Sequence, residues 1–178
     1  MSTAVFAFGR MNPPTIGHQK LVEKTRLVAS QTAGDPFLYL SHSTGKPNNP
    51  LSYTEKAKLC TEAFGEIVKW SKAKHVIDIA QELQAEGYTN LVMVCGSDRI
   101  VEFRDLLNKY NDNQYFFENI TVTSAGGRNP ISEGVEGMSA SKLRQYAIDE
   151  NLEAFASGLP PLLRGKAEQV MELIKSKL

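Results

Sequence analysis

The sequence has no excess charge, no long apolar run and only two cysteines. Its 178 residues include 20 lysines and arginines against 20 aspartates and glutamates, which argues against binding nucleic acid or a membrane surface by overall attraction. The longest apolar runs, AVFAF and LVMVC, fall far short of the roughly 20 residues that cross a bilayer. The N-terminus lacks the basic start and apolar stretch of a secretory signal. We therefore expect a cytoplasmic protein with neither a membrane nor a nucleic-acid partner.

Several familiar functional motifs are also missing. Cys60 and Cys95 stand in no C-x-x-C or metal-type spacing, so we expect two buried thiols and no protein metal site. The chain contains neither G-x-G-x-x-G nor a Walker-type loop, because Leu40 stands where the first glycine before STGKP should be. We find no serine or cysteine nucleophile with a histidine partner. Any phosphate recognition must therefore use another motif, and a covalent enzyme intermediate is not expected.

Short apolar segments alternate with longer amphipathic ones along the chain, whose length fits one domain. We predict a single domain over residues 1–178, with a catalytic core at about 3–150 and C-terminal helices at about 151–178. The predicted strands are 3–8, 36–41, 66–70, 89–96 and 119–124. The predicted helices are 16–29, 52–64, 76–86 and 99–110, one from about 139 and one from about 162. Such alternation predicts an α/β, Rossmann-like doubly wound parallel five-stranded sheet with helices on both faces.

The segment GRMNPPTIGHQK, residues 9–20, follows the first predicted strand and leads into the first helix. Its two prolines favour an extended approach, and Thr15 is a good helix N-cap. Gly17 would let a ligand approach the backbone, and His18 falls in the first turn, where helix N–H groups favour an anion. Arg10 can add a forked donor to the same site. This combination is typical of phosphate recognition.

GRMNPPTIGH resembles the first signature of the nucleotidylyltransferase superfamily, whose usual form is H-x-G-H. Thr15 replaces the first histidine, as it does in phosphopantetheine adenylyltransferases. The second signature, roughly I-S-S-T-x-I-R, is similar to MSASKLR at residues 138–144. There Ser139 and Ser141 keep their hydroxyl groups, Ala140 departs from the usual serine, and Arg144 takes the final basic position. Ser139 is also expected to cap the helix that carries Arg144.

Two further segments resemble nicotinamide mononucleotide adenylyltransferases of this superfamily. VCGSDRIVEF (94–103) is similar to their G-S-D segment, with Asp98 as the contact to nucleotide hydroxyls or, alternatively, as a helix N-cap. NNPLSYTEKAKL is similar to N-P-[FL]-[ST]-x-x-E-R, with Lys56 in place of the arginine. Trp70 follows the third predicted strand, where those enzymes stack a ring on the nicotinamide. Packing of Trp70 in the core is the alternative.

The resemblance implies a transferase that moves a nucleoside monophosphate, foremost AMP from ATP, to a phosphorylated small molecule such as nicotinamide mononucleotide and releases pyrophosphate. Mg²⁺ is expected to arrive with the ATP. The catalytic residues implied are His18, Thr15 and Arg10. The nucleotide-binding residues implied are Phe8, Gly9, Gly17, Gly96, Asp98, Ser139, Ser141 and Arg144. Lys56 and Trp70 are the candidates for acceptor binding. Two weaker candidates are His42, which lies in the loop after the second strand and could reach the site, and Arg128, which follows a strand end and could contact the triphosphate.

Several alternatives stay open at this point. Within the superfamily, cytidylyl transfer and phosphopantetheine adenylyl transfer fit the same motifs. A fragment of a class I aminoacyl-tRNA synthetase shares the signature but would need a tRNA-binding part that the sequence does not show. A nucleotide-binding protein without catalysis is allowed by Thr15 and Ala140. The superfamily commonly forms homo-oligomers, for which the C-terminal helices would be available.

Overall fold

The computed structural model describes residues 2–45, 47–126 and 138–178, which form five strands and seven α-helices. The strands are β1 (Thr3–Gly9), β2 (Asp35–Leu40), β3 (Val68–Lys69), β4 (Asn90–Cys95) and β5 (Asn119–Ser124). The helices are α1 (Ile16–Thr32), α2 (Tyr53–Phe64), α3 (Val76–Ala85), α4 (Ile100–Lys109), α5 (Ala140–Ile148), α6 (Leu152–Gly158) and α7 (Ala167–Lys177).

The five strands form one sheet in the order β3-β2-β1-β4-β5. β1 pairs in parallel with β2 and with β4, and β4 pairs in parallel with β5. The chain winds outward from β1 to β3 and then crosses to β4, so the direction of winding reverses between β1 and β4. In sheets of this kind that reversal marks where ligands bind. The predicted α/β, Rossmann-like five-stranded parallel sheet is confirmed.

The chain divides into two compact units. The first comprises Met1–Gly9, Leu21–Ser41 and Lys69–Arg128, and we call it the sheet unit. The second comprises Arg10–Lys20, His42–Val68 and Asn129–Leu178, and we call it the helical unit. The single catalytic domain stays a prediction.

The central strands of the sheet unit are buried on both faces, which explains their continuous apolar sequence. Successive side chains of a strand point to opposite faces, and the two clusters of buried residues follow that alternation. One cluster includes Ala4, Phe6, Leu91, Met93 and Cys95, together with Ile79 and Leu83 of α3. The other includes Val5, Val92 and Val94, together with Val28 and Ala29 of α1.

The helical unit has its own buried side chains on α5, α6 and α7, including Leu143, Phe155 and Ile174. Gly158, the last residue of α6, allows a close approach inside this unit. A Cβ atom at Gly158 would lie 2.5 Å from Leu143 Cδ2 and 2.9 Å from Met138 Sδ. Since this is well inside van der Waals contact, a larger residue at this position would require the side chains of Leu143 and Met138 to move.

Most element boundaries agree with the sequence prediction to within a few residues, and β5 coincides with it. The predicted third strand is reduced to the two residues of β3, because a 3₁₀ turn occupies Gly65–Ile67. The C-terminal helices predicted at about 151–178 are α6 and α7, although the sequence pattern had given α6 no bounds of its own. Cys60 and Cys95 are both free and buried, as predicted. Among the described residues, no helix is both long and apolar enough to span a bilayer.

Candidate functional site

The start of α1 is built around reciprocal hydrogen bonds between Thr15 and His18. Thr15 Oγ1 accepts hydrogen bonds from the backbone N–H groups of Gly17 (3.1 Å) and His18 (3.3 Å). In return, the Thr15 backbone N–H donates to His18 Nδ1 at 3.0 Å. The arrangement is that of a capping box, with histidine in the place of the usual glutamate or glutamine. Thr15 therefore caps α1, as the sequence predicted.

This arrangement assigns the tautomer of His18. Because Nδ1 accepts a hydrogen bond, the hydrogen of the neutral ring is carried by Nε2. The first turn of α1 contains no acidic residue, so no carboxylate there offsets the positive end of the helix dipole. Thr15 is buried and His18 is half-buried. The N-terminus of α1 thus combines a positioned imidazole donor with the end of a helix that favours anions.

The loop before α1 is held by Asn12, which is fully buried. Asn12 Nδ2 donates to the Leu51 carbonyl oxygen at 3.0 Å, and Asn12 Oδ1 accepts from the Leu51 backbone N–H at 2.9 Å. The preceding residue, Met11, has a φ of 50°, a left-handed conformation that a methionine adopts only when its surroundings enforce it. The amide clamp on Leu51 is one of the contacts that enforce it.

The second signature contributes α5 and Arg144 to the same helical unit. Ser139 Oγ accepts from the Lys142 backbone N–H at 3.2 Å and caps α5, as predicted. Arg144 donates through Nη1 to the carbonyl oxygen of Asn12 at 2.8 Å and through Nη2 to Ser141 Oγ at 3.1 Å. The two sequence signatures are therefore joined by a direct hydrogen bond between Arg144 and the loop that Asn12 holds.

Three cationic side chains of the helical unit act on one another. The pKa of Arg144 is lowered by burial and by the positive charge of Arg10. The pKa of Lys56 is lowered to about 8, mainly by burial and also by Arg10, although Cys60 acts in the opposite direction. Lys56 is fully buried and its Nζ donates to the Arg10 carbonyl oxygen at 2.8 Å, whereas Arg10 itself is exposed. Such mutual repulsion is relieved by a bound anion, so the group is suited to a polyphosphate.

The remaining predicted nucleotide-binding residues belong to the sheet unit. Phe8 packs against the core, and Gly9 ends β1. Gly96 follows β4, and a Cβ atom there would lie 2.7 Å from Asp98 Oδ1. Asp98 is exposed in a 3₁₀ turn at Ser97–Arg99. It does not cap α4, whose N-cap residue is Arg99 without a side-chain hydrogen bond.

Trp70 also belongs to the sheet unit and is 49% exposed. Packing of Trp70 in the core, the alternative to a binding role, is therefore wrong. In the helical unit, His42 stacks on Tyr53 with ring centroids 4.0 Å apart and planes 7° apart. Arg128 lies outside the described residues. Among the described residues, no group of three or more histidines, cysteines or carboxylates is arranged to hold a metal ion.

Sequence reasoning missed the structural roles of Asn12 and Leu51. Asn12 stands inside the first motif and Leu51 inside NNPLS, but neither pattern indicates that the two residues pair across 39 positions. Lys56 was predicted as an acceptor contact, and the hydrogen bond of its Nζ to Arg10 could not be read from the sequence. One feature of the sequence could have indicated a buried role for Lys56. It lies on the face of α2 that includes the apolar residues Ala57, Leu59 and Cys60.

The fold and the site geometry describe an α/β, Rossmann-like protein in which Lys56 and Arg144 donate hydrogen bonds to the loop that precedes α1. No protein-family model matches the sequence, and no curated protein matches it. Among solved structures, the chain is similar to nicotinic acid mononucleotide adenylyltransferase of Plasmodium falciparum, complexed with APC. The TM-score is 0.54 at 13% identity, over 99% of this chain and 96% of that chain.

A second solved structure is TmcAL of Thermotoga maritima, bound with alpha-thio ATP. Its TM-score is 0.48 at 12% identity, and the match covers 99% of this chain and 55% of that one. The similarity to the Plasmodium structure is one of fold.

Proposed function

We propose that the protein is a nucleotidylyltransferase that transfers AMP from ATP to a phosphorylated small molecule, with nicotinamide mononucleotide as the first candidate. The observation that carries the proposal is the hydrogen bond between the two segments that resemble the family signatures. Arg144 of the second signature donates to the Asn12 carbonyl of the first, beside the Thr15–His18 pair that begins α1. The shared fold with an adenylyltransferase of a mononucleotide acceptor supports the same class of reaction.

The reaction is a direct displacement. A phosphate oxygen of the acceptor attacks the α-phosphorus of ATP, a new phosphorus–oxygen bond forms, and the bond to the β-phosphate oxygen breaks to release pyrophosphate. In this scheme His18 donates through Nε2–H to an oxygen of the α-phosphate and stabilises the charge that develops there. Thr15 acts by holding the ring with Nε2 as the donor. Gly17, with no side chain, leaves the first turn of α1 open to the phosphate.

The leaving pyrophosphate needs cationic and hydroxyl donors. Arg10 and Arg144 supply planar forked donors that match phosphate oxygens. Ser139 and Ser141 add hydroxyl groups at the N-terminus of α5, where the helix dipole also favours negative charge. Positioning and charge stabilisation of this kind account for most of the catalysis in such transfers.

The residues of the sheet unit keep the roles that the sequence resemblance predicts. Phe8, Gly9 and Gly96 are assigned to the nucleotide, and the exposed carboxylate of Asp98 is assigned to nucleotide hydroxyls. The half-exposed indole of Trp70 suits stacking on an aromatic ring of the acceptor. Lys56, which the sequence resemblance assigned to the acceptor, is fully buried and donates to the Arg10 carbonyl oxygen.

The helical-unit residues assigned here offer a metal ion no carboxylate ligands, so they fit the phosphates and not a resident metal. Mg²⁺ would reach the site on the phosphates of ATP and keep much of its water. When bound, it would neutralise part of the phosphate charge.

Pyrophosphate release tests the proposal. The assay supplies ATP or CTP together with one acceptor at a time: nicotinamide mononucleotide, phosphopantetheine, glycerol 3-phosphate or phosphocholine. His18→Ala is the site variant, and His75→Ala, at an exposed histidine before α3, is the matched control. Release that depends on one acceptor and on His18 supports the transferase and identifies its substrate. Binding of ATP with no release across the panel would favour a nucleotide-binding protein without catalysis.

A further inference from the structure

Lys56 is a lysine in an unusual position. It is fully buried in the first turn of α2, a helix whose apolar face packs inside the helical unit. Burying an ammonium group is costly in free energy unless the group is well bonded. Its Nζ donates to the Arg10 carbonyl oxygen at 2.8 Å, across 46 positions of the sequence. The buried ammonium group therefore contacts the backbone of Arg10, whose side chain is assigned to the phosphates.

The segment that Lys56 contacts is held at two points by the region that begins α2. Lys56 contacts the carbonyl of Arg10, and Leu51 pairs with the side chain of Asn12. Between these two points lies Met11, with its left-handed backbone. The Arg10 carbonyl is held on one side of Met11, and the Asn12 side-chain amide is held on the other. These two attachments restrict the backbone conformation of residues 10–12. The backbone from which the Arg10 side chain extends is therefore held by Lys56 of α2 and by Leu51.

The charges around Lys56 determine the pH at which its side chain gains or loses a proton. Burial, opposed by Cys60 and aided by the positive charge of Arg10, lowers the pKa of Lys56 to about 8. Cys60, one turn along α2, has a thiol pKa raised to about 12 by burial, which the charge of Lys56 opposes. Arg10 is itself coupled to Arg144. A polyanion at Arg10 and Arg144 would offset their positive charge and favour the charged form of Lys56.

We propose that Lys56 is a positioning residue of the phosphate site, which holds Arg10 through its backbone carbonyl and takes up a proton when a nucleoside triphosphate binds. This inference rests on the proposed function, because it requires a polyphosphate at Arg10. The affinity for ATP then falls as the pH rises through about 8, because binding must first recharge Lys56. A lysine with a purely structural role would give no such proton uptake.

Calorimetry of ATP binding tests the proposal in the full chain, at about pH 7 and about pH 8.5, in two buffers of different ionisation enthalpy. We expect the wild type to take up protons at the higher pH, since a group with a pKa near 8 is then largely uncharged. Lys56→Met should lose this uptake and bind ATP about tenfold more weakly at the lower pH, a change of about 1.4 kcal/mol. Lys58→Met is the matched control, because Lys58 is an exposed lysine of the same helix, and it should behave as the wild type.

The outcomes separate the inference from the proposed function. If the wild type binds ATP and Lys56→Met shows the same proton uptake, the role of Lys56 is wrong and the transferase proposal stands. If the wild type does not bind ATP, both are overturned. If circular dichroism shows that Lys56→Met does not fold, the proton uptake of the wild type on binding ATP tests the inference by itself. ATP binding without proton uptake at about pH 8.5 would then refute the inference.

Discussion

The backbone N–H of Thr15 donates a hydrogen bond to Nδ1 of His18, and the two residues are three positions apart at the start of α1. The same threonine caps the helix through Oγ1. One residue thus fixes both the direction of the helix end and the nitrogen that carries the hydrogen of the neutral imidazole. Thr15 therefore leaves His18 with Nε2–H as a positioned donor at the start of α1.

Substitution of His18 tests that donor. We expect His18→Ala to lower kcat by about 10²–10³, the usual loss when one stabilising donor is removed from a developing oxyanion. Binding of ATP should change far less, because the cationic groups stay in place. Single-turnover pyrophosphate release and calorimetric ATP binding measure the two effects separately. An unchanged kcat in His18→Ala, with His75→Ala also unchanged, would remove His18 from the mechanism.

Arg144→Lys tests the two hydrogen bonds that the guanidinium group of Arg144 makes from α5. The guanidinium group reaches both the Asn12 carbonyl and Ser141 Oγ, and one ammonium group does not reproduce this planar pair of donors. We expect the KM for ATP to rise about tenfold, with a smaller effect on kcat, which corresponds to the loss of one hydrogen bond to a charged group. Arg104→Lys, at an exposed arginine of α4, is the control. Equal KM values for the two variants would contradict the assignment.

Asn12→Ala tests the clamp on Leu51. Both Asn12 and Leu51 are fully buried, so the substitution would leave a backbone N–H and a carbonyl without their partner. We expect the free energy of unfolding, measured by urea denaturation, to fall by about 3 kcal/mol. Asn48→Ala replaces an exposed asparagine near Leu51 and should change the free energy of unfolding by less than about 0.5 kcal/mol. A similarly small effect at Asn12 would show that the clamp adds little to stability.

Cys60 predicts a dependence of stability on alkaline pH. Burial raises the pKa of its thiol to about 12, whereas an unfolded thiol titrates near 8.5. Between these values the unfolded chain binds fewer protons than the folded chain, so the free energy of unfolding falls as the pH rises. Lys56 acts in the opposite sense, because its pKa is lowered to about 8.

The contribution of Cys60 is isolated by comparison with Cys60→Ala. Between about pH 7.5 and pH 10, the wild type should lose about 1–2 kcal/mol more of its free energy of unfolding than Cys60→Ala loses. Urea denaturation at the two pH values measures the difference. The same fall in both proteins would mean that the alkaline transition belongs to other groups.

Elements with a strong local signal were predictable from the sequence. The Ser52-x-x-Glu55 pattern predicted the capping box at the start of α2, and both hydrogen bonds of the box are present. The β-branched run at 119–124 predicted β5. By contrast, α6 has only seven residues, too few for a periodic pattern to separate it from a loop. β3 is shortened because the chain leaves α2 at Gly65 with a φ of 80° and then forms a 3₁₀ turn.

The sequence by itself determined the longer helices, the apolar strand segments and the two caps at Thr15 and Ser139, because periodicity, β-branched runs and caps are local features of the chain. Only the tertiary structure decided the pairs Asn12–Leu51, Lys56–Arg10 and Arg144–Asn12, which are 39, 46 and 132 positions apart. Hydrogen bonds over such distances form only when the fold brings their partners together, and no local pattern records which partner each group will meet. The motifs therefore indicate which types of side chain the candidate site contains. The packing of the helical unit sets the hydrogen bonds among them.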